Sequence, residues 1–266
     1  MKFFRLLLPA LVLGTAVAAV PPAAPIATPA PAAQEVRDVP AFTQVNLATS
    51  VAVEVRQGSP QRVVVEGAPD DLAELRTTVD GGRLIIDTKS GSDWKAFLRN
   101  HSSLGNMTVR ITMPTINALS VSSSGSLRAP SVRAENLTLG VSSSGSVEVA
   151  QVQATNVRAA VSSSGHLGIG QLQAAELHSA LSSSGSIKVG GGTCPRHEVA
   201  ISGSGSVTAP DLRSATCEAR ISSSGSCRVQ ATETLDARIS GSGGVIVTGN
   251  PKITSRTSGS GGVRQG

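Results

Sequence analysis

Four ionisable residues recur at a nearly constant interval in the C-terminal half of the chain. His178, Glu198, Glu218 and Asp236 follow one another at intervals of 20, 20 and 18 residues. Stacked strands lie about 4.8 Å apart, so carboxylates in such a column could share a cation through their oxygen atoms. Arginines two residues further on repeat in the same phase, at Arg220, Arg238 and Arg256. These interleaved columns favour a ladder of ion pairs over a metal site.

A second candidate is a serine-rich signature that ends in glycine. Its outward serines would form two ranks, Ser122, Ser142, Ser162, Ser182, Ser202 and Ser222, with Ser124 through Ser224 beside them. Such ranks could order water or ice, or pair with a polymer, whereas the simpler interpretation is a solvated face. No Gly-x-Ser-x-Gly elbow is present. No base repeats with the serines either, because His101, His166, His178 and His197 lie at different phases.

The remaining motifs add no reaction chemistry. Ser92-Asp93-Trp94-Lys95 matches Ser-x-x-Lys but lacks the companion motifs of that enzyme class, which indicates a chance match. Neither His-Glu-x-x-His nor Cys-x-x-Cys occurs. We therefore predict a protein that is not an enzyme, with no catalytic residue, no metal ligand set and no bound cofactor.

A polysaccharide-binding or polysaccharide-cleaving protein is the alternative. It would use the region around Trp94 or the acidic column, with paired carboxylates at hydrolase spacing. Coils of 18–20 residues leave little room for the long loops that frame such sites, and aromatic residues are only 2% of the chain. Both observations disfavour sugar-cleaving chemistry.

The regular spacing of the signature glycines indicates which secondary structure positions these residues. The signature glycines are Gly125, Gly145, Gly165, Gly185, Gly205, Gly225, Gly243 and Gly261. A period near 20 residues is typical of solenoids, in which each coil buries its apolar face only against its neighbours. The sequence therefore predicts an all-β fold, a right-handed parallel β-helix with coils of about 20 residues over residues 114–266.

Stacking the copies shows which side chains line the interior. Apolar residues stand four before and two after the glycines, with Cys227 among the aliphatics and Thr257 and Val263 in the last copy, and four after them from Ala129 to Val247. These even offsets point to one side of a strand. The glycine and the small inward residue before it, Ser123 to Gly259, are expected to let the chain bend while the coils stack tightly.

The N-terminal part divides into three segments. Lys2 and Arg5, an apolar run over 6–12 and Ala16-Val17-Ala18 indicate a signal peptide at residues 1–19. Residues 20–38 are Pro/Ala-rich and are expected to form an extended linker. Alternating valines over 39–113 predict an N-terminal β region that caps the solenoid, with a helical turn near 70–75 and a hairpin at Asp80-Gly81-Gly82.

Net charge bears on nucleic acid binding, and the cysteine count bears on disulfide formation. Removing Lys2 and Arg5 lowers the net charge from +5 to +3, and no basic stripe with interleaved aromatics is present, so a nucleic acid partner is not expected. An oxidising compartment would permit one disulfide among Cys194, Cys217 and Cys227. Small buried apolar side chains are the alternative role for these thiols.

The repeat, the segment from Val51 to Gly58 and the strand at 84–86 together resemble the bacterial head GIN domain family, described as putative auto-transporter adhesins. The resemblance covers roughly residues 40–264. It implies a parallel β-helix and a cell-envelope setting, and it transfers no catalytic residue.

We thus expect a periplasmic or secreted, non-membrane-spanning module that is structural or binds an envelope glycan or protein. An unpaired edge on the last coil would permit a homodimer through the C-terminal coil.

Overall fold

The structure is a computed structural model, and it describes residues 33–89 and 107–266. It is nearly all β and forms a solenoid of about seven turns. The predicted parallel β-helix is confirmed, because strands of successive coils pair in parallel with their partners 20 residues apart: Val147 lies opposite Leu127 and Leu167.

One short helix, α1 (Pro69–Glu74), accompanies the strands of the described residues. The N-terminal strands are β1 (Ala33–Arg37), β2 (Gln44–Leu47), β3 (Ala52–Gln57), β4 (Arg62–Gly67), β5 (Leu75–Asp80), β6 (Arg83–Thr88) and β7 (Thr108–Met113). The repeat forms β8 (Ala118–Val121), β9 (Ser126–Val141), β10 (Ser146–Val161), β11 (His166–Gln173), β12 (Glu176–Leu181), β13 (Ser186–Val189), β14 (Gly192–Thr193), β15 (Arg196–Ile201), β16 (Ser206–Ile221), β17 (Ser226–Ser240), β18 (Gly244–Thr248), β19 (Lys252–Ser258) and β20 (Gly262–Gln265).

Each coil is a bent strand whose inward residues form the core. In β10 the buried positions step by two within a straight segment, as from Val147 to Val149, and by three at a bend, as from Val149 to Val152. We call the segments just before the signature turn, residues 118–121, 138–141, 158–161, 178–181, 198–201, 218–221, 236–239 and 254–257, the first face. Up to Ile239, the predicted inward column four residues before each glycine is buried and aliphatic, and the column six before it is buried as well, with Ser179 among its small residues.

The last coil departs from this pattern. The sequence predicts that Thr257 lines the interior, but all of β19 is exposed and Val263 is only half-buried. A coil buries its inward face only between two neighbours, and within the described residues no coil lies beyond this one.

The signature glycine allows close stacking. A Cβ on Gly145 would lie 2.5 Å from the Ser123 carbonyl oxygen and 2.6 Å from that of Gly125, distances that a side chain cannot occupy. The turn of the preceding coil thus occupies the space that a side chain at Gly145 would need. The predicted hairpin at Asp80–Gly82 is also present, with positive φ of 55° at Gly81 and 73° at Gly82.

The N-terminal region continues the solenoid instead of merely covering its end. β2 pairs in parallel with β8 and with β6, and β3 pairs in parallel with β9 and with β7. One coil, β2–β3, therefore lies between the coil β6–β7 and the first coil of the repeat. Antiparallel strands complete this end of the solenoid. β5 pairs with β6, and β4 pairs with β7 and in turn with β1.

One boundary of the sequence-based division is wrong. Residues 33–37 were assigned to the linker, but they form β1, which pairs with β4 from Ala33 opposite Gly67 to Arg37 opposite Val63. Backbone pairing at a sheet edge needs no apolar periodicity, which explains why the pattern gave no signal. The expected signal peptide at 1–19, residues 20–32 of the expected linker, Ser92 to Lys95 and His101 lie outside the described residues.

Candidate functional site

The acidic and basic columns of the first face form the predicted ion-pair ladder. His178, Glu198, Glu218, Asp236 and Thr254 stack in register. Arg220 contacts both Glu198 and Glu218 at 2.5 Å, and its hydrogen bond is the main reason that the pKa of Glu198 lies below its ordinary value.

The ladder continues along the same column. Arg238 lies 3.5 Å from Glu218 and 3.2 Å from Asp236, while His178 lies 3.2 Å from Glu198. Each carboxylate therefore has a cationic partner in the protein. Across residues 33–89 and 107–266, no group of three His, Cys, Asp or Glu side chains has the arrangement of a metal site.

A buried Ser–His pair lies inside the solenoid. The Ser179 hydroxyl is 3.1 Å from Nε2 of His197, and the two residues are 0% and 1% exposed. Burial, with the nearby His178, lowers the pKa of His197 to about 4. The pair has the composition of a nucleophile and a base, but its burial closes it to substrates, so we assign it a structural role.

The three cysteines are free and buried, which supports the packing alternative over a disulfide. Burial raises the pKa of Cys194 to about 11, and burial together with Cys194 raises that of Cys217 to about 12. The pKa of Cys227 is also raised well above its ordinary value by burial. These thiols are therefore poor nucleophiles in the folded protein.

The surface feature best suited to ligand binding is a long groove on the outside of the first face, with a volume of about 1000 Å³. Its floor is the outward column five residues before each glycine. That column runs in register through Ser120, Gly140, Ala160, Ala180 and Ala200. The side chains of this column are small, and they form the bottom of the depression.

A rank of exposed serines borders the floor and consists of Ser142, Ser162, Ser182, Ser202, Ser222, Ser240 and Ser258. The first five of these residues belong to the predicted outward rank, and Ser240 and Ser258 extend it. The rank that contains Ser124 does not line the groove.

Among the described residues, every charged side chain that lines the groove is an arginine. Arg83 lies at one end, and Arg220, Arg238 and Arg256 continue the floor column at the other. Arg220 and Arg238 are paired with acidic residues, as described above. Neither Arg83 nor Arg256 has an ion pair with a described acidic residue, but the Arg83 guanidinium donates two hydrogen bonds to Gln44 Oε1. Arg256 has no such side-chain partner among the described residues, so its guanidinium is the one left available at the groove.

The groove was not predicted from the sequence. The signal was present: the position five before the glycine is Ser, Gly or Ala in five successive copies before it becomes arginine. Only the arginines of this column were interpreted, as partners of the acidic column. The small residues were missed because they form a groove only where the neighbouring side chains are larger and project further from the sheet.

No described helix is long and apolar enough to cross a bilayer.

Comparisons with known proteins agree with this architecture. No curated protein matches the sequence. A crystal structure described as a "putative lipid binding protein" from Parabacteroides distasonis has 26% identity and a TM-score of 0.80, over 88% of this chain and 96% of that one. A "putative adhesin" from Parabacteroides merdae has 15% identity and a TM-score of 0.78, with the same coverage. At 15% identity, the second likeness concerns the fold alone.

The family model for the head GIN domain, described as a putative auto-transporter adhesin, matches residues 41–170 and 160–251. These two matches overlap and together include most of the described solenoid. The chain belongs to the head GIN domain family.

Proposed function

We propose that the protein is a non-enzymatic binding module of the bacterial cell envelope, and that it holds its ligand in the groove of the first face. The groove carries this proposal. It is continuous over several coils, it is lined by small residues, and its only charged lining residues in the described structure are arginines. The head GIN family's adhesin description and the "putative lipid binding protein" description of the 26% identical structure both support a binding role.

The site offers recognition without a reaction centre. Glu198, Glu218 and Asp236, which the carbohydrate-cleaving alternative would need, are engaged by arginines in the ladder. The Ser179–His197 pair is buried. Nothing in the groove of the described residues combines an accessible nucleophile with a base.

Export is the second part of the proposal. Residues 1–19 would direct the chain out of the cytoplasm and be removed, and the segment that follows would separate the solenoid from its point of attachment. N-terminal sequencing of the protein from the periplasm or the medium should show a mature chain that begins after Ala18 or Ala19. An uncleaved chain in the cytoplasm would contradict export.

Self-association is the third part. β19 is exposed along its whole length, and Ile253 on it is one of the two large hydrophobic residues that the described surface exposes. A second copy could pair with this edge. Sedimentation should show dimers that form with increasing concentration and weaken in Ile253→Lys, whereas a monomer at the highest concentration would contradict the interface.

The binding role is tested by retention of envelope material. The immobilised full chain is incubated with an envelope extract, and bound lipids, glycans and proteins are identified by mass spectrometry. Ala180→Phe, which places a ring on the groove floor, should lose the retained species. Gln171→Phe, at an exposed position on another face, should retain it. Equal retention by both variants, or turnover of envelope polysaccharides by the purified protein, would overturn the proposal.

A further inference from the structure

We propose that the occupant of the groove is a single long acyl chain with an anionic head group, bound with its head at the Arg256 end. This inference rests on the proposed function and specifies its ligand.

The dimensions of the floor fit one hydrocarbon chain. The distance from Gly140 to Ala200 is three strand spacings, or about 14 Å. The acyl layer of one membrane leaflet, half of a hydrocarbon core of about 30 Å, is about 15 Å thick. The floor is one residue column wide, so an extended chain could lie along it with its methylenes against the Ala160 and Ala180 methyl groups.

The chemistry of the floor also favours a hydrocarbon. Gly140, Ala160, Ala180 and Ala200 present no side-chain hydrogen-bonding group. The backbone N–H and C=O groups of these strands are used in the parallel ladder, so an extended peptide could not add as another strand there. Sugar rings usually stack on aromatic platforms, and the described lining contains no aromatic residue; its serines lie along the border and not on the floor.

The head group is assigned from charge. Arg256 follows Arg220 and Arg238 in the floor column, and unlike them it has no acidic partner in the described part of the chain. A carboxylate or phosphate there could accept hydrogen bonds from its guanidinium. Arg256 stands three strand spacings, about 14 Å, beyond Ala200. The first part of the acyl chain would therefore lie along the aliphatic stems of Arg238 and Arg220, and the rest would extend across Ala200 towards Gly140.

A single lipid fits this surface better than a membrane does. Proteins that insert into a bilayer present projecting apolar side chains. The described surface exposes only two large hydrophobic residues, Val36 and Ile253, and neither lines the groove. The apolar surface of the first face is recessed, which suits extraction or transfer of a lipid monomer.

The test is a titration of the delipidated full chain with hexadecanoate, hexadecanol and phosphatidylglycerol vesicles. Hexadecanoate should bind saturably at one molecule per protomer. Ala180→Phe should weaken this binding at least tenfold and Gln171→Phe less than twofold. Ala160→Leu provides a second, smaller obstruction if Ala180→Phe does not fold, as judged by circular dichroism and thermal unfolding.

The head-group assignment has its own readout. Arg256→Gln should weaken hexadecanoate binding about fivefold to tenfold and leave hexadecanol within twofold. Arg228→Gln, which removes an exposed arginine outside this groove, should change neither. Equal losses for both ligands in Arg256→Gln would overturn the anionic assignment.

Three results would overturn the inference as a whole: no saturable hexadecanoate binding, equal effects of the two phenylalanine variants, or binding to vesicles without binding to the monomer. If hexadecanoate fails to bind while Ala180→Phe still abolishes retention of envelope material, the acyl ligand is wrong and the binding groove stands.

Discussion

Ser179 and His197 form a hydrogen bond of 3.1 Å inside the solenoid, across adjacent coils, with neither residue open to solvent. The imidazole belongs to an inward column in which Leu177 precedes it and Cys217 follows it. A titratable group thus occupies a position that is otherwise aliphatic or a thiol, which makes the stability of the fold depend on pH.

The first prediction concerns this pH dependence. His197 has a pKa of about 4 in the fold and 6.5 in the unfolded chain. The unfolded chain therefore takes up a proton first as the pH falls, so stability is full above about 6.5 and declines towards pH 4. The decline should reach about 3 kcal/mol, at 1.36 kcal/mol per pKa unit. Urea unfolding at stepped pH measures it.

Two variants separate the proton from the hydrogen bond. His197→Leu should remove this contribution to the pH slope but cost about 1–2 kcal/mol at neutral pH, because it leaves the Ser179 hydroxyl buried without its partner. Ser179→Ala combined with His197→Leu should recover most of that cost. A double variant with the wild-type slope between pH 6.5 and 4 would show that His197 is not its source.

The second prediction concerns the signature glycine. Gly145→Ala should destabilise the fold by about 3 kcal/mol, since the new methyl would meet two carbonyl oxygens of the coil below and force a backbone shift. Gly140→Ala is the matched control, because its Cβ would lie 3.6 Å from the Ser120 Cβ, an ordinary contact. Chemical denaturation should show the control within about 0.5 kcal/mol of wild type; similar losses in both would refute the packing argument.

The third prediction concerns the ion-pair ladder. Arg220→Ala should lower the free energy of unfolding by less than about 1 kcal/mol, because the pair is solvent-accessible, and added salt should shrink the difference. The pKa of Glu198 should rise towards its ordinary value when its arginine is removed. Titration followed by NMR measures the shift, with Arg256→Ala as a control that leaves Glu198 unchanged.

The cation alternative for the same column is tested separately. Calcium and zinc should show no tight stoichiometric binding to wild type in calorimetric titrations, since each carboxylate already contacts a cationic side chain. A saturable heat at one ion per chain that disappears in Glu218→Gln would replace the ladder with a metal site.

The fourth prediction concerns the thiols. Cys194, Cys217 and Cys227 should react with iodoacetamide only as fast as the chain unfolds, because they are buried and their raised pKa values keep them protonated at pH 8. Ser182→Cys, at an exposed position, should be alkylated quickly. Rapid labelling of wild type under native conditions would contradict the packing role.

Sequence reasoning worked best where one steric requirement repeats. Gly125 and its successors each meet carbonyl oxygens of the preceding coil, so the same residue type recurs at a fixed interval and reveals the coil length. The alternation around each glycine then identifies the aliphatic columns. The ion-pair ladder followed from the same phase, because residues 20 apart become neighbours across a strand spacing.

The N-terminal coils were not predicted as coils, because the repeated glycine that marks the other coils is absent from them. Ala52 pairs with Ser126 of the repeat on one side and with Thr108 on the other. The residue before each of these paired positions is Gly125 in the repeat but Val51 and Met107 in the N-terminal coils, so the sequence there has no repeated glycine. The order of these coils in space also differs from their order in the chain, which no periodicity expresses.

The groove could not be predicted from the sequence for a different reason. Its floor depends on side chains that are small relative to their neighbours, and its charge depends on which arginines lack partners. Arg220 and Arg256 are identical in type and phase, yet within the described residues only Arg220 contacts carboxylates. That distinction needs the positions of side chains on adjacent coils.

Because the register between successive coils is constant, the length of the groove can change in steps of one whole coil. Deletion of residues 142–161 would remove one coil and join Val141 to Ser162 with every column still in phase. The groove would shorten by about 4.8 Å while its floor and its arginine end keep their character. Gain or loss of whole coils thus offers a way to adjust the preferred ligand length without redesigning any contact.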